Sequence, residues 1–219
     1  TIGGVRMQET CFQLISSGTL SIVMFVYSLT MPRCAVNKGG KAQSLVDALG
    51  LKAFSLFKNG QFAIFFIFSM LLGASLQITN GYANTFISAF ADIPAYANTF
   101  AVKHANILIS LSQISETLCI LLIPFFLRRL GIKKVVLIAM LAWVLRFGFF
   151  AVGNPGNGVW LFILSMIVYG VAFDFFNISG SLFVEQNTDE GIRSSAQGVF
   201  MMMTNGLGAT IGSYCASAV

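Results

Sequence analysis

ANILISLSQISETLCILLIPFFL, residues 105–127, is followed by the basic turn RRLGIK (128–133) and then by KVVLIAMLAWVLRFGFFAV, residues 134–152. Each apolar stretch matches the roughly 20 residues that a helix needs to cross a bilayer. After the Lys134 that opens the second stretch, each holds one charged residue, Glu116 and Arg146. Four further runs have the same character: roughly 11–32, 61–90, 159–184 and 196–219. Of these only 159–184 carries a charge, Asp174. Barrel strands would alternate in polarity over about ten residues, and these runs are too long and too evenly apolar for that. The expectation is an all-α integral membrane fold with about six transmembrane helices.

Composition points the same way. Of 219 residues 56% are hydrophobic and 10% charged, against about 45–50% and about 25% in soluble domains. So few charges cannot cover a water-soluble surface, and the abundance of Phe, Ile and Leu excludes disorder. The net charge of +5 does not indicate nucleic acid, because nine of the thirteen basic residues form two clusters between apolar runs. Arg33, Lys38, Lys41, Lys52 and Lys58 make one, and Arg128, Arg129, Lys133 and Lys134 the other. Basic residues are retained on the cytoplasmic side, so both clusters are placed inside and the uncharged connector 147–158 outside. By alternation 91–104 lies outside and the acidic connector 185–193 inside, acidic residues counting little in the rule.

Within the 33–60 connector, residues 44–57 have helix-like apolar spacing behind Ser44, which predicts a short helix on the inner membrane surface. Cys11, Cys34, Cys119 and Cys215 show no metal-ligand spacing and read as small apolar fillers. Thr1 and Val219 each lie close to or inside an apolar run, which reads as a fragment of a longer chain.

The residues of chemical interest are those a bilayer disfavours. A carboxylate at the bilayer centre costs about 2.5 to 3.5 kcal/mol on insertion scales. Glu116 is eleven residues into its stretch, about 16 Å deep at 1.5 Å per residue, and Asp174 is also central. Gln113 shares a helix face with Glu116, as do Gln77, Asn80 and Asn84 with one another. Tyr169 and Phe173 are four apart beside Asp174, and Asn177 extends that stripe. Three helices thus present amides, a carboxylate or an aromatic at comparable depth. A cavity for a flat, polar, hydrogen-bonding ligand is expected there: amides pair with hydroxyls and ring heteroatoms, and aromatics stack on a base. Arg146 is six residues from the outer end of its stretch and is expected to snorkel or pair. His104 and Trp160 read as interfacial residues, and Gly208-Ala-Thr-Ile-Gly212, with Gly198 and Gly206, as a close-packing face.

The runs FFIFSMLLGASLQITN (65–80), SLSQISETLCILLIPFFLRRLGIKK (110–134), SMIVYGVAFDFFNISGSLFVE (165–185) and IRSSAQGVFMMMTNGLG (192–208) resemble the nucleoside:proton symporter family of the major facilitator superfamily. The resemblance implies helices six to eleven of a twelve-helix transporter. Residues 1–32 would hold the last helix of the N-terminal bundle, 33–60 the cytoplasmic linker between bundles, and 61–219 the C-terminal bundle without its last helix. It implies nucleoside import by proton symport across the inner membrane, with alternating access between this bundle and an N-terminal bundle outside the sequence. The positions matching the family's ligand contacts are Gln77, Asn80, Gln113, Glu116, Tyr169, Phe173 and Asp174. Asp174 and Glu116 are the candidates for proton coupling, since a carboxyl group away from water takes a proton more readily, and Asp174 is preferred because Glu116 shares its face with Gln113. The expected partners are nucleoside, proton and lipid bilayer, with no nucleic acid. No cofactor or metal is implied, and an enzyme is excluded by the absence of HExxH, GxSxG, paired metal-ligand or phosphate-loop motifs. A transporter of another small polar solute, such as a sugar, and a transporter-like receptor that binds without carrying are the alternatives.

Overall fold

Apolar helices with their backbone groups satisfied internally are what a bilayer permits, and every regular element among the described residues is helical. The computed structural model describes residues 11–32 and 51–217. Arg33, Lys38, Lys41, Cys34 and the 44–50 part of the expected surface helix lie outside them. The chain falls into two units, divided after residue 42.

In the first unit α1 (Phe12–Ser28) is a 17-residue helix with no acidic or basic residue in its end turns. Its hydroxyls do not compete with an aqueous phase. Thr19 donates to the Ile15 carbonyl at 2.8 Å and Ser21 to that of Ser17 at 2.9 Å, so these two hydroxyls are satisfied one turn back along the helix.

The described part of the second unit begins with a 3₁₀ turn, Leu51–Lys58, whose Ala53 is fully buried and whose Leu56 and Phe57 join the apolar core. The Phe57 and Phe66 rings lie 5.1 Å apart. Asn59 then starts α2 (Gly60–Ala89), its side-chain oxygen accepting from the Gln61 amide at 3.0 Å. The 48-residue run α3 (Ala105–Val152) is far longer than a bilayer is thick, about 72 Å against about 30 Å if it were straight. It breaks at Gly131, where φ is 75° and ψ is 164°. That region of backbone space is almost confined to glycine, and the glycine sits inside the basic turn expected to separate two spans. Ser115 on the first arm bonds the Ile167 carbonyl and Arg146 on the second bonds that of Ser165. Both arms therefore lie against the same level of α4 (Val159–Asn187), and the chain reverses between them.

The last apolar stretch is composite. It comprises α5 (Arg193–Met201), a π-helical segment Met202–Gly208, and α6 (Ala209–Ser217). A Cβ at Gly73 would strike the Thr204 backbone, one at Gly208 the Met70 carbonyl, and one at Gly212 that of Ala74. The expected close packing of the GxxxG face is thus made against α2, with small residues letting two backbones approach. Gly198 and Gly206 do not share in it. Gly198 has open space around it, and the only neighbour of Gly206 is Met202 of its own turn. Both sit off the seam that the Gly208–Gly212 spacing defines.

Apolar cores fill both ends of this unit. Phe62, Phe66, Phe175, Phe176, Val184 and Phe200 belong to one, and Ile87, Ala101, Leu108, Phe162 and Met166 to the other. Between them lies a smaller cluster around Ala142, Trp143, Tyr169 and Ala172. The polar groups concentrate at that middle level.

Candidate functional site

The middle layer is set by one close helix crossing. A Cβ at Gly170 would lie 2.6 Å from Ser115, so only glycine lets the first arm of α3 approach α4 closely enough for the Ser115 hydroxyl to reach the Ile167 carbonyl. Glu116, the next residue, is thereby brought level with Tyr169. On the second arm Arg146 Nη1 donates to the Ser165 carbonyl at 3.0 Å, and the Ser165 hydroxyl returns a bond to the Arg146 carbonyl at 3.1 Å. From α4 the Tyr169 hydroxyl crosses to α2 and donates to Asn80 Oδ1 at 2.8 Å. Asn80, Glu116, Arg146 and Tyr169 thus occupy one level, contributed by α2, both arms of α3, and α4.

Around this level stand the other expected residues. Gln113 is exposed, one turn from half-buried Glu116, and its Nε2 donates to Glu116 Oε1 at 3.5 Å, a long and weak bond. The Tyr169 and Phe173 rings are nearly parallel, 7° apart in tilt with centroids at 5.7 Å. Tyr169 is buried while Phe173 is half-buried, so Phe173 is the ring with a face to offer. Asp174 is 5% exposed, and its Oδ2 has no hydrogen-bond partner among the described residues. It interacts electrostatically with Glu116, which also interacts with Arg146. Asn177 donates to the Phe173 carbonyl at 3.0 Å and steadies that turn. Six of the seven expected site residues are therefore joined by a bond, a ring contact or a charge interaction. Gln77 is half-buried one turn along α2 from Asn80 and makes no hydrogen bond among the described residues.

Of the two courses expected for Arg146, snorkelling or pairing, it takes the inward one. It does not snorkel: it is 2% exposed, with its guanidinium carbon 4.1 Å from the Tyr169 ring centroid and 5.5 Å from that of Phe150. Trp143, one turn away, sets its ring edge-on to Tyr169 at 6.0 Å, and its Nε1 is buried with no partner among the described residues. Neither was singled out as a site residue. Arg146 lies near enough to the helix end for either course, and only the position of Tyr169 across the interface decides between them. Cys34 lies outside the described residues. Cys119 is buried, Cys11 and Cys215 are exposed, and among the described residues no group of His, Cys, Asp and Glu is placed to hold a metal ion.

The layer is not an enclosed cavity. The void beside it, lined by residues including Leu76, Trp143, Phe173 and Asn177, measures only about 10 Å³, and the polar groups present themselves on the open side through Asn80 and Gln113. A larger cleft of about 310 Å³ runs between Tyr82, Phe86, Phe147 and Phe150. It contains none of the polar-layer residues, and its apolar walls lack the convergent polar groups a polar ligand requires.

Comparison with known proteins identifies the family. The nucleoside H+ symporter family matches residues 2–219. Nucleoside permease NupG of Escherichia coli (strain K12) is 57% identical over 201 residues, covering 91% of this chain and 48% of that protein. Xanthosine permease of the same organism is 53% identical over 210 residues, covering 95% and 50% respectively. A crystal structure of nucleoside transporter NupG, in a variant with one aspartate replaced by alanine, superposes with a TM-score of 0.80 at 54% identity, covering 95% of this chain and 52% of that one. The chain spans about half the length of the relatives it matches, and it shares with them the all-helical major facilitator architecture expected from its sequence. By the family match over almost its whole length and by its fold, the chain belongs to the nucleoside H+ symporter family.

Proposed function

We propose that the transporter containing this chain imports nucleosides by proton symport across the cell inner membrane, and that the layer formed by Gln77, Asn80, Gln113, Glu116, Tyr169, Phe173 and Asp174 is its contribution to the substrate site. The observation that carries the reading is that half-buried Phe173 lies parallel to the Tyr169 ring, whose hydroxyl holds the Asn80 carboxamide of α2, while the first arm of α3 carries the Gln113–Glu116 pair. A nucleoside needs both: a flat surface for its base, and acceptors and donors for ribose hydroxyls and ring heteroatoms. In this reading Phe173 receives the base, Gln77, Gln113 and Glu116 the hydroxyls, and the Tyr169–Asn80 bond fixes the wall between them. The names of the relatives, a nucleoside permease and a xanthosine permease, support the same substrate class.

The 1–32 stretch belongs on this view to the end of an N-terminal bundle and 33–60 to a cytoplasmic linker. Residues 61–219 form most of the C-terminal bundle, with the basic turn 128–134 on the cytoplasmic side. Alternating access arises as one bundle rocks against the other about the fixed site. Asp174 carries the proton. A buried carboxylate oxygen that no donor reaches is costly as an anion, and a bound proton removes that cost.

Competition of labelled uridine uptake by unlabelled nucleosides and by sugars tests the substrate class, and nucleosides alone should compete. In the same full-length transporter Gln113→Ala should weaken nucleoside binding about three- to tenfold, the worth of one or two hydrogen bonds, with membrane insertion unchanged. Unaltered affinity would remove Gln113 from the site.

A further inference from the structure

Burying a guanidinium in a membrane protein is expensive, and the cost is avoidable when the residue lies near a helix end. Arg146 has that escape and does not take it. Its side chain turns inward and is 2% exposed, with Nη1 on the Ser165 carbonyl and Nε buried without a partner among the described residues. A space filler at this position would be apolar. What the charge obtains is the face of Tyr169, 4.1 Å below the guanidinium carbon, at a distance where cation and ring quadrupole attract strongly once water is excluded. Trp143 closes on the same ring edge-on. Tyr169 in turn holds Asn80 by its hydroxyl and lies parallel to Phe173.

We propose that Arg146 is a positioning residue of the substrate site: its guanidinium, stacked on Tyr169, holds that ring, and through it the Asn80 carboxamide and the Phe173 face, in the geometry that receives the ligand. The inference rests on the reading of the polar layer as a nucleoside site. Arg146 itself touches no ligand in this scheme. Its influence passes through one aromatic ring, and Glu116 is the carboxylate whose charge it feels from across the layer.

The experiment is a double-substitution cycle read as the dissociation constant of labelled uridine on the purified full-length transporter. Arg146→Met should raise the constant about tenfold, the loss of one desolvated cation–ring contact, and Arg146→Lys, which keeps a charge above the ring, should raise it less. In a Tyr169→Leu background, itself weakened, neither substitution should have any further effect. Weakening of equal size in both backgrounds, or an Arg146→Met protein that binds as tightly as the parent, would overturn the inference. If Arg146→Met does not fold, Arg146→Lys in the two backgrounds decides in the same way. A parent protein that binds no nucleoside would overturn the proposed function and this inference with it. A parent that binds while the cycle is additive would overturn this inference alone.

Discussion

Asp174→Asn in the full-length transporter should abolish accumulation of uridine against its gradient when a pH gradient is imposed, while leaving part of the downhill exchange. The substitution keeps the shape of the side chain and removes its capacity to bind and release a proton. Asp174 is buried in α4 with Oδ2 lacking a partner among the described residues, and the neighbouring charge it interacts with is that of another acid, Glu116. Two carboxylates that sense one another in a low-dielectric layer strongly disfavour being charged together. In the proposed function Asp174 holds a proton when the bundle closes, and loss of that proton on the inner side favours reopening. An amide at 174 fixes the uncharged condition permanently. Exchange down a gradient survives because it does not require the proton to leave, whereas uphill transport has nothing to drive it. A variant that still concentrates uridine would make Asp174 a structural or ligand residue and pass proton coupling to Glu116 or to the N-terminal bundle.

Phe173→Ala should weaken nucleoside binding about 10- to 100-fold, since stacking of a base on an aromatic ring contributes about 1–3 kcal/mol. The expectation is specific to this ring. Tyr169 is buried, has Arg146 above its ring, and has its hydroxyl engaged with Asn80. Phe173 is half-buried and parallel to it, so on the proposed reading truncation removes the ring that receives the base. Equilibrium binding of labelled uridine measures the effect, and Phe173→Tyr should restore most of it. A dissociation constant unchanged in Phe173→Ala would place the base elsewhere.

Much of this was legible in the residues themselves. Long apolar runs in a bilayer have no regular alternative to helix, so α2, α4 and the two arms of α3 lie where the hydropathy puts them. The polar stripes were legible because amides and carboxylates three and four apart share a face whatever lies opposite. Tyr169 and Asn80, singled out on separate helices for polarity alone, prove to be bonded to each other. What escaped depends on contacts between helices. The inward turn of Arg146 follows from a tyrosine on another element. The crossing that sets the register needs Ser115 and Gly170 to meet, and nothing local to either marks it. Met202–Gly208 takes a π-helical path against α2, where Gly73 and Thr204 share a space too small for ordinary side chains. Gln77 and Asn84 share one face of α2, and only the family resemblance separates them as ligand positions.

If the polar layer holds a nucleoside base against Phe173, crystals of the full-length transporter grown with 5-bromouridine will show it, because anomalous scattering locates the bromine independently of how the ligand is fitted. The expected peak lies in the layer, with the pyrimidine ring within about 4 Å of the Phe173 face and the ribose directed toward Gln77, Gln113 and Glu116. A peak outside this layer, in a protein shown to transport the compound, would contradict it.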